Sequence, residues 1–410
     1  MLWVFAAAAQ DLAAYQEAAV RSHPRMQVAD AATQSARAQR EQAQGTLLPT
    51  LTLSAGWTHN QYDAVVEFPN ATVGTDEIVI SPQDQYDGAL ALRVPLIDAT
   101  SWARRLALGD GVEAADLDRR VEEAGLRLEV ARAWYGAIAA QQVAGAAEKA
   151  RTVAEENRRF LAAREAAGVA TTLAVQRAEL EVANAERLLI EARRARGVAV
   201  RSLASLSGLP EPAELPTAAP EPERPGDEAL AAAESRRPEV AAAQARVDQV
   251  RLASSAAWLA WAPVVAGTAT ERYSNASGFS GEDTSWTAGV GLTWELLDFG
   301  DRTGAGRAAR AELSAAEARL ALAKQAVRDE VHGAVLALEA TRAAVAAARR
   351  GAAVAAATST EVRARFQAGT ATQLEVVQAD RDALQAEVER IRAEGELAVA
   401  GEALRRAVGG

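Results

Sequence analysis

The stretch YDGALALRVPLID at residues 86–98 alternates apolar with small or polar side chains and ends in an aspartate. A second stretch of the same length, WTAGVGLTWELLD at residues 286–298, has a similar alternation and the same final aspartate. A period of two with one apolar face is typical of a β-strand that is exposed to water on one side. We therefore predict strands at about residues 85–96 and 284–296.

These two stretches belong to a duplication of the whole chain. Residues 22–24 (SHP) correspond to 236–238 (RRP), Pro49 corresponds to Pro263, and AGVAT at 167–171 corresponds to AGTAT at 368–372. All landmarks keep their order, with an offset of roughly 200 to 214 residues. We predict a first structural repeat at 10–208 and a second at 228–410, joined by an extended connector at 209–227, because proline at that density cannot continue a helix.

The composition sets limits on both structure and function. The chain has 410 residues, a net charge of −11 and no cysteine. The negative charge argues against nucleic acid as a partner, and the missing cysteines exclude disulfides and thiolate metal sites. The apolar start LWVFAAAA at residues 2–9 resembles the end of a signal peptide, so residues 1–9 are predicted to be its remnant.

Each repeat contributes two predicted strands, at about 48–58 and 85–96 and at about 264–273 and 284–296. One face of these strands is apolar, and aromatic residues lie near the strand ends, as in outer-membrane strands. Glu271 departs from the pattern, and a bulge or a position above the membrane would explain it. The residues predicted to face lipid are Leu51, Leu53, Trp57, Leu90, Leu92, Val290, Leu292 and Trp294.

The strand count predicts an oligomer. After the first residues, no apolar run approaches the ~20 residues that a spanning helix needs, so a membrane crossing requires a β-barrel. Four strands are too few to close one, and an open edge cannot face lipid. Two copies would give eight strands and three would give twelve. The alternative is a half-buried sheet in a soluble domain.

Long helices follow the strands in each repeat. No proline occurs from about Ala103 to Ala166, and apolar residues recur at spacings of three, four and seven, which is typical of coiled-coil packing. Gly168 and Gly369 then predict chain reversals, since glycine accepts left-handed backbone conformations. Each repeat should therefore form a long antiparallel helical hairpin.

In this arrangement the chain resembles the TolC-like outer-membrane efflux proteins. The resemblance rests on SHP at 22–24, LLP at 47–49, VPLID at 94–98, the two glycine-bearing turns and the duplication. It implies a mainly α fold with a membrane β-barrel, in which a trimeric 12-stranded barrel stands over an α-helical periplasmic tunnel. It also implies a homotrimer in the outer-membrane lipid that extends into the periplasm. Such a channel passively conducts substrates in tripartite efflux or type I secretion, with a periplasmic adaptor (membrane fusion) protein and an inner-membrane transporter as partners.

The resemblance also implies two kinds of site. The adaptor would dock at the hairpin tips, and inward-facing acids after the second tip would narrow a periplasmic aperture, for which this sequence offers Glu375 and Gln378. A solvated glutamate on a helix face is the plainer interpretation of Glu375. Ala174 and Ala371 occupy positions where the resemblance implies polar or charged residues whose contacts hold the channel closed. The predicted docking residues are Gly168, Val169, Ala170, Thr171, Gly369, Thr370, Ala371 and Thr372.

We predict that the protein is not an enzyme and binds no cofactor or metal. His23, His59 and His332 are far apart in sequence and lack metal-ligand neighbours at helical spacing. The glycines between Gly300 and Gly306 lack the Gly-Lys-Ser/Thr ending of a phosphate loop. Two alternatives to a channel remain at this point: an elongated periplasmic coiled-coil scaffold without a pore, and a cytoplasmic helical adaptor.

Overall fold

The computed structural model describes residues 11–70, 74–212, 215–217, 221–223 and 225–410. The predicted signal-peptide remnant at 1–9 lies outside these residues, as do parts of the predicted connector. In chain order the elements are α1 (Leu12–Ser22), α2 (Pro24–Gly45), β1 (Thr50–His59), β2 (Ala64–Asn70), β3 (Gly74–Ser81), β4 (Asp84–Ile97), α3 (Ala99–Ala166), α4 (Thr172–Ser207), α5 (Asp227–Arg236), α6 (Pro238–Ser255), β5 (Val264–Ser274), β6 (Thr284–Thr293), α7 (Asp301–Gln367) and α8 (Gln373–Ala407).

Proline sets a corresponding helix boundary in each repeat. Pro24 begins α2 and Pro238 begins α6, and a short helix, α1 or α5, precedes each of them. Proline is accepted in the first helical turn, where its missing N–H has no partner to lose, but it cannot continue the preceding helix. The SHP and RRP motifs therefore mark breaks between two helices, whereas the sequence pattern indicated only the helix that follows.

Four strands form one antiparallel sheet in the order β1-β4-β5-β6. The register aligns Leu51 with Leu92, Leu92 with Ala269, and Ala269 with Ala288. Directly opposed residues of antiparallel strands lie on the same face, so the apolar residues predicted for each strand share one face of the sheet. That face is exposed in the single chain, with Leu53 76% and Val290 70% accessible.

The sheet differs from the prediction in three respects. Residues 64–81, predicted as a loop, contain the separate two-stranded hairpin β2–β3. Strand β6 ends at Thr293, so Trp294 follows the strand and does not belong to it. The bulge suggested for Glu271 is wrong, because Glu271 pairs in continuous register with Leu90 on one side and Trp286 on the other. Glu271 therefore lies on the apolar face, three residues before the end of β5.

The chain divides into two compact units that cut across the two repeats. The helical unit comprises Met1–Ala31, Asp116–Ala241 and Ala321–Gly410, and the sheet unit comprises Ala32–Ala115 and Ala242–Leu320. In the helical unit one buried cluster surrounds Tyr15 and Trp134, whose ring centroids are 5.2 Å apart, and a second surrounds Leu338 and Leu404. Many other buried positions are alanine, which lets neighbouring helices approach closely.

A buried ion-pair network fixes the end of α8 in the helical unit. Arg237, only 3% exposed, lies 2.7 Å from both Glu239 and Glu330, and its guanidinium also donates to the carbonyls of Arg406 and Ala407. Arg406 pairs with the same two glutamates. Burial opposes the charge of Glu239, but the hydrogen bonds from Arg237 lower its pKa overall. The network therefore satisfies charges and helix-end carbonyls together, as buried ions require.

Among the described residues, one helix, α7, is long and apolar enough to span a membrane, although the sequence pattern predicts no such helix. An 18-residue window within α7 has a mean hydropathy of 1.2, and 11% of that window is buried. By length and composition α7 could cross a membrane. Most of its apolar residues are alanines.

Candidate functional site: hairpin tips and the apolar sheet face

The first hairpin tip, residues 167–171, is a compact reversal between α3 and α4. Gly168 adopts a left-handed conformation with φ +73°, and its N–H donates to the carbonyl of Glu165 at 2.8 Å. The N–H of Val169 donates to the carbonyl of Arg164 at 2.8 Å. These two bonds form a Schellman motif, which satisfies the last carbonyls of a helix. Thr171 then caps α4 by accepting from the N–H of Ala174.

The second tip, residues 368–372, repeats this geometry. Gly369 has φ +80°, its N–H donates to the carbonyl of Phe366 at 3.0 Å, and the N–H of Thr370 donates to that of Arg365 at 2.8 Å. The reversal predicted at both glycines is therefore present with the same hydrogen bonds. Since both tips are largely exposed, their side chains are free to contact another protein.

Glu375 has a structural role that the resemblance did not indicate. Its Oε2 accepts from the backbone N–H of Thr372 at 2.6 Å and from the Thr372 hydroxyl at 2.8 Å, which completes a capping box at the start of α8. The backbone hydrogen bond from Thr372, followed by the hydroxyl bond, lowers the pKa of Glu375. The carboxylate is exposed, ionised at neutral pH and held at the positive end of the α8 dipole.

Gln378 lies one helical turn after Glu375 and is also exposed. Residues at this spacing lie on the same face of a helix, so the two predicted aperture residues share one face of α8. The repeat counterpart of Glu375 is Ala174, which cannot form a capping box. The carboxylate is thus specific to the second tip.

The two hairpins contact each other near their tips. The Gln373 side chain donates to the carbonyl of Ala174 at 2.9 Å, and Arg381 pairs with Glu181 at 2.6 Å. The rings of Phe160 and Phe366 meet edge to face at 6.0 Å. Ala174 therefore takes part in a polar contact between hairpins through its backbone, although its side chain cannot.

Above these contacts a groove of about 870 Å³ lies between the hairpins of the helical unit. Its walls carry many charged groups, including Lys149, one of the two lysines of the chain. Arg390 in this wall bonds to Glu387 and Glu394, and the bond from Arg390 is the main reason why the pKa of Glu387 is lowered. Most of these charges are paired, either within α8 as for Arg390 or between neighbouring helices as for Arg349 with Glu394, so the groove offers few free charges.

The sheet unit brings the predicted lipid-facing residues onto one face. Six of them lie in the paired rows of β1, β4 and β6, and all are exposed in the single chain, as is Trp57 beside Tyr86. The opposite face is polar and small: Thr52, Ala91, Thr270 and Thr287 form one row across it. Trp294, beyond the strand, donates from its indole to the carbonyl of Trp261 at 2.9 Å.

The histidines lie apart from these features. His59 contacts Asp84 at 2.8 Å at the end of β1, while His23 follows α1 and His332 lies in α7. In the described ranges, no group of three or more histidine, aspartate or glutamate side chains is placed to hold a metal ion.

Comparison with known proteins gives the family and the fold. The family model described as outer membrane efflux protein matches residues 14–209 and 229–410. No curated protein sequence matches significantly. Among solved structures, the chain is similar to a membrane protein from Pseudomonas aeruginosa, with a TM-score of 0.80 at 22% identity, covering 97% of this chain and 90% of that chain.

Two further solved structures are similar to this chain. VceC, an outer membrane protein from Vibrio cholerae, gives a TM-score of 0.79 at 19% identity, covering 97% of this chain and 96% of that chain. The open state of the MtrE outer membrane channel from Neisseria gonorrhoeae gives a TM-score of 0.78 at 21% identity, covering 97% of this chain and 89% of that chain. These likenesses confirm the predicted mostly helical fold with a small sheet. Since the family model spans most of the chain, this protein belongs to the outer membrane efflux protein family, whose members are outer-membrane channels and not enzymes.

Proposed function

We propose that three copies of this chain close a 12-stranded barrel and together form the outer-membrane duct of a tripartite efflux or type I secretion system. The observation that carries the proposal is the open sheet. In the part of the chain that the structure describes, β1 and β6 each pair on one side only, and one face of the sheet is apolar and exposed. An unpaired edge cannot lie in lipid, so another chain must cover it.

The strand order allows copies of the chain to cover both edges. The four strands alternate in direction, so β6 of one copy runs antiparallel to β1 of the next. Such a head-to-tail contact is heterologous, and it generates a closed ring when the rotation between copies divides a full turn. Every edge is then paired, and the exposed face carrying Leu53 and Val290 becomes the lipid-facing surface.

The channel function favours three copies over two. An eight-stranded barrel has an interior just wide enough for side chains to fill, whereas larger barrels enclose a ligand cavity or a channel. Two copies would give eight strands and no aqueous path. Three copies give the smallest barrel from this chain that leaves a duct, lined by the small polar face that includes Thr52 and Thr287.

We assign adaptor docking to the two hairpin tips. Three apolar side chains are exposed at the tips: Val169, a predicted docking residue, at 63%, and two residues not predicted, Leu173 at 55% and Leu374 at 61%. Exposed apolar residues surrounded by threonines suit a partner that inserts its own apolar groups between the hairpins. A periplasmic adaptor would dock there and connect the duct to an inner-membrane transporter, which supplies the energy.

Glu375 and Gln378 are proposed to line the periplasmic aperture. In a three-fold ring, repulsion between the Glu375 carboxylates would oppose their ionisation, while the capping-box hydrogen bonds, which lower the pKa of Glu375, favour the charged form. A ring of carboxylates favours cations. The positive end of the α8 dipole offsets part of that charge, so we expect a modest cation preference. Members of the outer membrane efflux protein family are outer-membrane channels, which excludes both the periplasmic scaffold without a pore and the cytoplasmic adaptor.

The proposal is tested on detergent-purified protein by light scattering and by conductance in planar bilayers. We expect a mass three times that of one 43.0 kDa chain and stable ion-conducting events. Glu375→Gln should reduce the cation preference without changing the mass, and Glu361→Gln, at an exposed glutamate of α7, is its control. A single-chain species without conductance would refute the proposal.

A further inference from the structure

An apolar groove opens at the end of the sheet where β4 leads into α3 and α6 leads into β5. It encloses about 550 Å³, and its lining includes Leu96, Ile97, Trp102, Leu106, Leu252 and Trp258. Five of these side chains are more than half exposed: Leu96, Ile97, Trp102, Leu106 and Trp258. Its size is within the range of protein pockets that hold small molecules. So large an exposed apolar surface, including two tryptophans, indicates a binding or membrane contact.

The groove is continuous with the exposed apolar face of the sheet. Leu96 comes two residues after Val94 in β4, and its Cδ1 lies 3.9 Å from where a Cβ on Gly267 would stand. Gly267 pairs with Val290, a residue of the apolar face. One apolar surface therefore runs from the sheet into the groove.

An arginine without an acidic partner stands beside this surface. The Arg105 guanidinium carbon lies 5.8 Å from the centre of the Trp102 ring, and its Nε is buried without a hydrogen-bond partner. No ion pair to Arg105 occurs in the described part of the chain, whereas Arg302, which stacks on Trp261 at 4.1 Å, is bonded to Asp298 at 2.6 Å. The buried Nε cannot reach a ligand, but the two terminal amino groups of Arg105 make no hydrogen bond within the described residues, so they are donors of the kind that bind phosphate.

We propose that the groove binds one phospholipid per chain, with an acyl chain along Leu96, Leu106 and Trp258 and the phosphate on Arg105. The inference rests on the proposed function, because it places the apolar sheet face in the lipid bilayer. Aromatic residues and arginine at the level of the lipid headgroups are the expected surroundings of such a ligand. The phospholipid would anchor the rim of the sheet where the strands pass into helices.

The position of the groove favours lipid over a second copy of the chain. The two strands that border it, β4 and β5, are the inner strands of the sheet and are paired on both sides. The free edges through which copies join, β1 and β6, each lie one strand away. A neighbouring copy would cover those edges, while the groove stays open toward the lipid-facing surface.

The test is native mass spectrometry of the detergent-purified protein after incubation with phosphatidylglycerol of a single defined mass. We expect the wild-type protein to retain one phosphatidylglycerol per chain. Arg105→Gln should weaken retention by about tenfold, the size expected for one lost charge-assisted hydrogen bond, and Trp258→Ala should also reduce it. Arg105→Lys should restore part of the binding because it keeps the charge.

A matched control separates this site from general charge effects. Arg350→Gln removes an exposed charge from α7 and should leave retention unchanged. Equal retention by wild type, Arg105→Gln and Trp258→Ala would overturn the inference. Mass and conductance of the same samples distinguish the two proposals: a conducting three-chain assembly without specific retention removes only the lipid site, and a non-conducting single chain that still retains lipid removes only the duct.

Discussion

The assignment of the two sheet faces makes a sharp prediction for two adjacent residues of β4. Leu92 lies on the apolar face between Leu51 and Ala269, and no acidic residue occurs in that row. Ala91 lies on the opposite face between Thr52 and Thr270. Arginine at position 92 would face lipid, where the nearest acid on that face is Glu271 in the adjacent row, whereas arginine at position 91 would face water inside the duct.

The expected magnitudes differ widely. Arginine on the lipid face of a membrane barrel costs about 2–4 kcal/mol near the middle of the bilayer, which corresponds to about a 30- to 700-fold fall in the folded-to-unfolded ratio. Arginine on a solvated surface usually changes stability by no more than about 0.5 kcal/mol. Leu92→Arg should therefore destabilise the barrel strongly, and Ala91→Arg should be close to neutral.

The assay is refolding into phosphatidylcholine vesicles over a series of urea concentrations, with the assembled fraction measured by gel mobility without heating. Leu92→Arg should shift the midpoint to lower urea, while Ala91→Arg should follow the wild-type curve. Equal shifts for both variants, or a larger shift for Ala91→Arg, would refute the assignment of faces and with it the barrel.

Three further predictions concern the helical unit. Removing the cap with Thr372→Ala should cost about 1 kcal/mol locally and speed amide hydrogen exchange at the start of α8. Because the folded-state pKa of Glu375 is lowered, the stability that its carboxylate contributes is present at neutral pH and is lost as pH falls through the folded pKa. Acidification should therefore speed the same exchange in the wild-type protein. Arg237→Ala should destabilise the protein by about 1–3 kcal/mol, since the carbonyls of Arg406 and Ala407 lose their buried donor while Arg406 still pairs with both glutamates, and an unchanged thermal melt contradicts the network. Gly369→Ala should cost about 1–2 kcal/mol because φ is positive there. Gly351→Ala, within α7 and with open space around its Cα, should instead stabilise the protein by about 0.5–1 kcal/mol. If chemical denaturation shows that both variants change the free energy of unfolding in the same direction, the left-handed turn is contradicted.

Features that depend on local patterns could be predicted from the sequence. The strands follow from alternation over about ten residues, and the tips follow from glycine, because only a left-handed residue completes the Schellman motif. The hairpin β2–β3 was not predicted because its segment, VVEFPNATVGTDEIVIS at 65–81, contains proline and glycine and alternates only weakly. Its strands depend on pairing with each other, which a single-strand pattern does not reveal.

The residues of the functional site also divide into those that a local sequence pattern indicates and those that depend on packing between distant segments. Thr372 and Glu375 have the spacing of a capping box, so the sequence contained a sufficient signal for that role, and the resemblance drew attention to the aperture instead. The contacts of Gln373 with Ala174 and of Arg381 with Glu181 join residues 199 and 200 positions apart. No local pattern indicates such pairs, because they depend on how the two hairpins pack. The aperture and docking roles stay predictions.

The pairing of β6 with β1 of the next copy is tested most directly by disulfide cross-linking. The chain has no cysteine, so a cysteine at Ala55 of β1 can be combined in turn with one at each position of β6 without background. The Cα atoms of opposed residues in paired antiparallel strands are about 4.5–5.5 Å apart, a distance that a disulfide can bridge. We expect that one or two adjacent positions cross-link in membranes and that the products end at three chains. Cross-linking at no position, or a series that continues beyond three chains, would contradict it.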